Sequence, residues 1–330
     1  MILSASRRTD IPAFYSEWFL NRVKEGFLLV PNPRNSKQLS RIELSPASPV
    51  ERACPNEGSR KVSSGERAKA SEGSHQSKIE CIVFWTKNPA PLMPGLDILD
   101  KLNYLYYFEF TLTAYQADIE KNLLPKEKII TTFKEISARL GPDRVDWRYD
   151  PILINEKYNI DWHQRNFYNI CKEIHKYTSR CIISFVDPYP HISKDFAEPK
   201  KEDIYKLADS LSQIAKEFDL PLLTCSEQID LSFYGIKHCS CIDKDKIEKL
   251  VGYPVDAKKD PGQRKSCGCI KSVDVGMYNT CRHGCLYCYA TTSGKTLLKH
   301  SENHSQYSPM LTGFPNGTET ITTRSYSKKK

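Results

Sequence analysis

Residues 272–290 read SVDVGMYNTCRHGCLYCYA, a short apolar strand that leads directly into a loop with three cysteines. The cysteines, Cys281, Cys285 and Cys288, follow a C-x3-C-x2-C spacing, which places three thiolates on one tight loop. Such a loop can hold three irons of a 4Fe–4S cluster and leave the fourth iron open to a small molecule, whereas four-cysteine iron–sulfur and zinc sites have no open position. Tyr287 precedes the last cysteine, where its ring could cover a cluster or stack on a ligand.

Apolar strands alternate with amphipathic helices along the rest of the chain. Strands are predicted at residues 2–6, 80–86, 106–112, 145–151, 181–186, 221–225 and 272–277. Helices with one apolar face are predicted at residues 126–140, about 162–177 and 201–218. Continuous apolar strands are typical of a parallel sheet that is covered on both faces. The alternation therefore predicts an α/β fold, a parallel TIM-like barrel that is complete or partial.

Two segments interrupt this regularity. Residues 46–78 are rich in Pro, Ser, Gly, Lys, Arg and Glu and nearly lack aliphatic side chains, which predicts a disordered insertion. Residues 225–270 are rich in cysteine and carry only short helical pieces. We therefore expect one barrel domain over residues 1–290 that contains both segments, and a C-terminal helix with a polar tail over residues 291–330.

The composition favours a cytoplasmic protein that does not cross a membrane. No apolar run in the 330 residues approaches the ~18 that span a bilayer, and the N-terminus does not resemble a signal peptide. The 12 cysteines cluster at metal-ligand spacings, which disfavours a secreted disulfide scaffold. The net charge of +8 leaves nucleic acid open as a partner, although the charges are spread along the chain.

The three-cysteine loop resembles the signature of radical S-adenosylmethionine (SAM) enzymes, C-x3-C-x-aromatic-C, at all three cysteines and at Tyr287. The resemblance implies that Cys281, Cys285 and Cys288 hold a 4Fe–4S cluster whose open iron binds SAM. It further implies that SAM is cleaved to a 5′-deoxyadenosyl radical that abstracts hydrogen from a substrate, with ferredoxin or flavodoxin as the electron donor. A zinc knuckle, a chance cluster of cysteines and a disulfide are the other interpretations of this loop.

The order of the segments resembles a circular permutation. In most radical SAM enzymes the cysteine loop follows the first barrel strand, whereas here it follows the last. Thr9-Asp10 and Thr86-Lys87 resemble loops that follow the second and third strands in the branch that includes spore photoproduct lyase. The strand at residues 272–277 would then take the first position, beside the N-terminal strand. Such a rearrangement is tolerated where the chain termini lie close together at the surface.

As a whole, the chain resembles an uncharacterised microbial family, a domain of unknown function with a C-terminal radical-SAM-like cysteine motif. The resemblance lies in residues 2–12, 84–89, 147–151, 267–269 and the three-cysteine loop. It implies a cofactor and a fold and leaves the substrate open. The insertion departs from the compact pattern of that family but lies away from its motifs.

A second group of cysteines suggests a second metal site. Cys225, Cys241, Cys267 and Cys269 are the best set of four ligands for a second 4Fe–4S cluster or a zinc ion, with Cys239 as a spare. The C-x-C spacing is less specific than C-x2-C, so reduced thiols packed as small apolar side chains remain the alternative.

Charged side chains follow several predicted strands at their carboxyl ends, which form the ligand-binding face of a barrel. They are Arg7, Arg8, Asp10, Lys87, Arg148 and Asp150. The cations could pair with the carboxylate of SAM or with a substrate anion, and Asp10 could accept hydrogen bonds from ribose or from the SAM amine. The alternative is that these residues form ion pairs with one another around the rim. The sequence assigns no catalytic residue.

The sequence therefore predicts a radical SAM enzyme with an unknown substrate. One alternative is a non-catalytic protein that binds zinc or a redox-sensing iron–sulfur cluster. Another is an iron–sulfur electron-transfer protein, which would not bind SAM. The outcome for SAM, whether consumed or regenerated, is not predicted.

Overall fold

The computed structural model describes residues 1–47, 78–192 and 196–324. Its strands, in chain order, are β1 (Ile2–Ala5), β2 (Phe27–Asn32), β3 (Asn35–Glu43), β4 (Ser45–Pro46), β5 (Lys78–Ile79), β6 (Cys81–Thr86), β7 (Tyr106–Thr111), β8 (Val145–Ile152), β9 (Cys181–Phe185), β10 (Leu222–Cys225), β11 (Lys237–Cys239), β12 (Val273–Asp274) and β13 (Thr320–Thr323). Its α-helices are α1 (Ile11–Phe14), α2 (Ser16–Glu25), α3 (Leu96–Lys101), α4 (Lys126–Leu140), α5 (Ile160–Ile174), α6 (Lys201–Glu217), α7 (Lys244–Val251) and α8 (Gly294–Glu302).

An eight-stranded parallel sheet forms the centre of the fold. Its strand order is β11-β10-β9-β8-β7-β6-β1-β12. The parallel α/β arrangement predicted from the strand–helix alternation is therefore confirmed. The complete barrel is not formed, because in the described part of the chain no strand pairing joins the two edge strands, β11 and β12, and the sheet stays open.

The last strand of this sheet lies beside the first. β12 pairs with β1 in parallel, with Leu3 opposite Val273 and Ser4 opposite Asp274. The prediction of a strand over residues 272–277 was too long, because regular pairing ends at Asp274. The chain that enters the three-cysteine loop therefore leaves the sheet next to the loop that follows β1.

The core lies between the sheet and the helices that connect its strands. The side chains of β6 and β7 are almost entirely buried, as expected for strands covered on both faces. Phe84 and Phe108, on these two strands, stack with their ring centroids 5.0 Å apart. α4 buries its apolar face, which includes Ile129, Phe133 and Ile136, and its bounds agree with the prediction.

A small second sheet was not predicted. β2 and β3 form an antiparallel pair, and β13 adds to β3 in parallel, with Thr320 opposite Gln38. The sequence predicts a polar tail here, because the four residues of β13 carry no apolar alternation, and all four are exposed. The strand conformation depends on a partner about 280 positions away, which local sequence cannot reveal.

Most of the predicted insertion, residues 48–77, lies outside the described residues. At its two ends, β4 and β5 pair in parallel. Among the described residues, the helices are too short or too polar to cross a bilayer.

Candidate functional site

A cavity of about 450 Å³ lies at the carboxyl ends of the parallel strands. This volume falls within the ~300–1,000 Å³ of typical ligand pockets. Loops after strands across the sheet contribute to its wall, and all the site residues predicted from the sequence line it: Arg7, Arg8, Asp10, Lys87, Arg148, Asp150, Cys225, Cys241, Cys267, Cys269, Cys281, Cys285, Tyr287 and Cys288. The structure therefore brings both cysteine groups to one cavity.

The three cysteines of the loop lie half-buried on one side of the cavity. Burial raises the pKa of Cys285 to about 12 and also raises the pKa of Cys281 above its ordinary value. Thiols in such surroundings stay protonated unless a cation replaces their protons. The loop is thus suited to bind a metal centre rather than to present a free thiolate.

Residues 119–122 support the cysteine loop from behind. Glu120 and Cys285 form an isolated antiparallel bridge, and the Leu286 N–H donates to the Ile119 carbonyl at 3.0 Å. The Asn122 N–H donates to the His283 carbonyl at 2.9 Å. These backbone hydrogen bonds hold the cysteine loop against residues 119–122 as in a short antiparallel strand pair. The shape of the loop therefore does not depend on the cysteines alone.

Asp10 connects three of the motifs found in the sequence. Its Oδ1 accepts hydrogen bonds from the Ala13 N–H at 2.9 Å, as the N-cap of α1, and from Thr86 Oγ1 at 2.8 Å. Its Oδ2 lies 2.7 Å from the Lys87 backbone nitrogen and 2.8 Å from His283 Nε2. Both oxygens are thus occupied by protein donors, so Asp10 positions the loops around it.

Glu120 is a buried carboxylate between two lysines and the motif tyrosine. Lys87 Nζ lies 2.7 Å from its Oε1, and Lys126 and the Tyr287 hydroxyl also contact it. Although burial opposes its ionisation, Lys87 and Lys126 hold the pKa of Glu120 at about 2, below the ordinary 4.5. Lys87 is therefore an ion-pair partner, and Tyr287 is fixed with its hydroxyl on Glu120 and its ring on the cavity wall.

Asp274, at the end of β12, joins the loop after β1 to the start of the cysteine loop. Its carboxylate accepts hydrogen bonds from Ser4 Oγ at 3.0 Å, from Ser6 Oγ at 2.6 Å and from the Arg7 N–H at 2.9 Å. Gly276 lies so near that a Cβ there would be 2.0 Å from Ser6 Oγ. Only glycine permits this approach of the two loops.

The predicted cations have different surroundings. The Arg7 guanidinium lies over the Trp85 ring at 5.1 Å, and its buried Nη2 has no hydrogen-bond partner among the described residues. Arg8 lies over the Tyr278 ring at 5.2 Å. Arg148 Nη1 donates to Cys241 Sγ at 2.6 Å, while its Nη2 pairs with Asp150. Among the described cations that line the cavity, Arg7 thus has a buried donor without a partner.

A family model described as a domain of unknown function, DUF1848, matches residues 2–51 and 60–290. The chain belongs to the DUF1848 family. The matched residues of this DUF1848 protein include every side chain discussed above as part of the site.

Other comparisons add little to this assignment. A search of curated proteins finds no match. A solved structure provisionally named an alpha-L-fucosidase, from Bacteroides thetaiotaomicron VPI-5482, is 14% identical over 53% of this chain and 74% of that chain, with a TM-score of 0.24. At that score the likeness carries no argument about the fold or activity of the DUF1848 chain.

Three site residues of this DUF1848 protein were not predicted. Glu120 is buried and Asp274 is half-buried, and both carboxylates have partners distant in sequence, so the charge pattern gave no signal for them. Tyr289 donates to the Arg7 carbonyl at 2.6 Å and stacks on Tyr189 at 5.7 Å. Its position one residue after the last cysteine was the one available signal.

Proposed function

We propose that this DUF1848 protein is a radical SAM enzyme. The observation that carries the proposal is that Cys281, Cys285 and Cys288, on one loop, line a ligand-sized cavity at the carboxyl edge of a parallel sheet. A 4Fe–4S cluster in that loop would supply the electron that cleaves SAM to a hydrogen-abstracting radical.

Two features of the site suit such a cofactor, namely its three thiol ligands and its buried polar atoms without hydrogen-bond partners. The three thiols of the loop provide three of the four ligands that a 4Fe–4S cluster takes, so one iron would face the cavity. Among the described residues, Arg7 Nη2, Thr9 Oγ1 and His283 Nδ1 are buried atoms on this wall without a hydrogen-bond partner. Buried polar groups are rarely left unpaired, which favours a polar ligand at this position.

The chain's own residues would bind and orient that ligand. The free donor of Arg7 can pair with a carboxylate, from SAM or from the substrate. Asp10 would act through His283. The contact between Asp10 Oδ2 and His283 Nε2 fixes the imidazole ring, so that Nδ1 of His283 points away from the Asp10 carboxylate. Tyr189 and Tyr289, stacked beside Arg7, would limit the access of water at this side.

The strand order supports a permuted form of the radical SAM barrel. The strand before the cysteine loop occupies the sheet edge beside β1, which is the place that the permutation requires. The loops of Thr9-Asp10 and Thr86-Lys87, compared above with the spore photoproduct lyase branch, meet at the Asp10 carboxylate next to the cysteine loop. The open sheet would then be a partial barrel.

The enzyme would need an electron donor such as ferredoxin or flavodoxin, and a substrate that this site does not identify. Nucleic acid remains a candidate on charge alone. The alternatives are a non-catalytic zinc or redox-sensing protein and an electron-transfer protein. Neither requires a cavity with unpartnered polar groups beside the cysteine loop, which is why we favour the enzyme.

The proposal is tested by product formation. The protein is purified without oxygen, reconstituted with iron and sulfide, reduced and incubated with SAM, and 5′-deoxyadenosine is measured by mass spectrometry. We expect 5′-deoxyadenosine from the native chain and from Cys239→Ala, and none from Cys285→Ala. Absence of the product from fully reconstituted native protein would contradict the proposal.

A further inference from the structure

A second group of cysteines joins three separate segments of the chain. Cys225 is the last residue of β10, Cys241 lies two residues beyond β11, and Cys267 and Cys269 precede β12. β11 and β12 are the two edge strands of the open sheet. The cysteines therefore belong to the segments that leave β10 and β11 and enter β12.

The thiols of this group are close together and buried. The Sγ atoms of Cys225, Cys241 and Cys269 all lie within 4.8 Å of one another, and those of Cys225 and Cys241 are 2.9 Å apart. The Cys267 thiol interacts with that of Cys269 but lies outside this closest group of three. All four are at least nine-tenths buried as residues. Three thiols from three segments thus meet at one point, and a fourth is adjacent to them.

The surrounding groups suit negatively charged sulfur. Arg148 Nη1 donates to Cys241 Sγ at 2.6 Å, and the Ile242 N–H donates to Cys269 Sγ at 3.4 Å. The positive charge of Arg7 also acts on Cys241, Cys267 and Cys269. N–H donors and cations around thiolates are the usual outer surroundings of a metal site.

We propose that Cys225, Cys241, Cys267 and Cys269 bind one tetrahedral divalent ion, zinc, which ties the two edges of the open sheet together. Zinc–sulfur bonds of about 2.3 Å place tetrahedral thiolates about 3.8 Å apart, in keeping with the close approach of these sulfurs. In a 4Fe–4S cluster each thiolate binds a different iron, so the ligands stand farther apart. A reduced-thiol core would not need Arg148 or Arg7 beside it.

The contrast with the other cysteine loop supports a single ion. Within the described residues, the three Sγ atoms of Cys281, Cys285 and Cys288 are not all within 4.8 Å of one another, as those of Cys225, Cys241 and Cys269 are. The two groups therefore differ in spacing in the way that a cluster site and a mononuclear site differ.

The zinc ion would reinforce a backbone connection between the residues after β11 and those before β12. The Ile270 N–H donates to the Ile242 carbonyl at 3.1 Å, which joins the segment after β11 to the segment before β12. Ile242 and Ile270 are buried in an apolar cluster with the four cysteines. The metal would add four bonds to this contact and hold the cavity wall that the cysteines form.

Metal content of the native protein tests this inference independently of the radical SAM proposal. Protein is purified without oxygen from cells supplied with both iron and zinc, and both metals are measured per chain. We expect about one zinc per chain in the native protein. Cys241→Ala and Cys269→Ala should lose it and keep their iron, and Cys239→Ala, the neighbouring control, should keep both metals.

Cys285→Ala separates the two sites, because it should lose iron and retain zinc. Cobalt substituted into the native protein should give the absorption of a tetrahedral thiolate site, which keeps the inference testable if a cysteine variant fails to fold. Loss of about four irons per chain in Cys241→Ala, in place of zinc, would overturn the zinc assignment. A native chain without any metal that depends on Cys241 would overturn the site itself.

Discussion

His283 Nε2 lies 2.8 Å from Asp10 Oδ2, and this contact joins the cysteine loop to the loop after the first strand. Both side chains are buried, and Asp10 also receives hydrogen bonds from Ala13, Thr86 and Lys87. One carboxylate therefore sets the relative position of three segments that are distant in sequence.

We expect Asp10→Asn to lower the free energy of unfolding by about 1–3 kcal/mol. The reason is that the NH2 group of Asn would replace an acceptor oxygen and face hydrogen-bond donors. The loop should also take up less iron during reconstitution. Denaturant unfolding and iron analysis measure both effects. Asp161→Asn, on the exposed start of α5, is the control and should change neither. Unchanged stability and iron uptake in Asp10→Asn would show that the carboxylate does not organise the site.

Glu120 should make the metal-free protein sensitive to acid. Its folded pKa of about 2 lies below the ordinary 4.5, so its contribution to stability is present above pH 4.5 and is lost as the pH falls from about 4.5 through about 2. This contribution is about 3 kcal/mol. Glu120→Gln should be less stable at pH 7, because Lys87 and Lys126 lose their buried counter-charge.

Unfolding free energies of the two proteins, measured from pH 7 down to pH 2, test this expectation. The difference in unfolding free energy between the native protein and Glu120→Gln should become smaller as the pH falls from about 4.5 to about 2. A difference that stays constant across this range would mean that the ion pairs of Glu120 do not carry the stabilisation.

Gly276→Ala should separate the two loops that meet at Asp274. The new Cβ would lie 2.0 Å from Ser6 Oγ and 2.6 Å from Ser6 Cβ, so Ser6 or the backbone must move. Such crowding in a packed site costs about 1–3 kcal/mol of stability. Gly294→Ala is the matched control, since a Cβ there meets nothing within 4 Å. Thermal unfolding of both variants is the measurement, and equal stabilities would refute the close approach.

Arg7→Gln should weaken the binding of SAM about tenfold, equivalent to about 1.4 kcal/mol, and leave the iron content unchanged. The reason is the free Nη2 of Arg7 at the cavity. Arg8→Gln is the comparison, because Arg8 Nη1 donates to the Gly276 carbonyl at 3.5 Å and, among the described residues, Arg8 has no buried nitrogen without a partner, so its effect should be smaller. Titration calorimetry without oxygen measures both. An equal effect of the two variants would count against the assignment of Arg7.

The sequence predicted the parallel sheet and the cavity residues because their signals are local. Continuous apolar strands such as β6 and the apolar face of α4 follow from spacing alone. Residues at the carboxyl ends of parallel strands meet at one edge, so Asp10, Lys87 and the cysteine loop were expected to converge, and they do.

The features that escaped prediction depend on distant partners. β13 is an exposed strand that pairs with β3, far away in sequence. Glu120 gave no sequence signal, because its partners Lys87 and Tyr287 lie on other segments. The open edge between β11 and β12 also could not be read from the strand count, because closure depends on the geometry of the irregular segment between them.

The measurement that tests the central proposal most directly is the electron paramagnetic resonance spectrum of the reduced, reconstituted protein with and without SAM. We expect a 4Fe–4S signal that changes when SAM is added, because SAM would bind the iron that the three cysteines leave open. Cys239→Ala should give the same change, and Cys285→Ala should lack the signal. A cluster signal that SAM leaves unaltered, or no cluster signal in the native protein, would contradict the account.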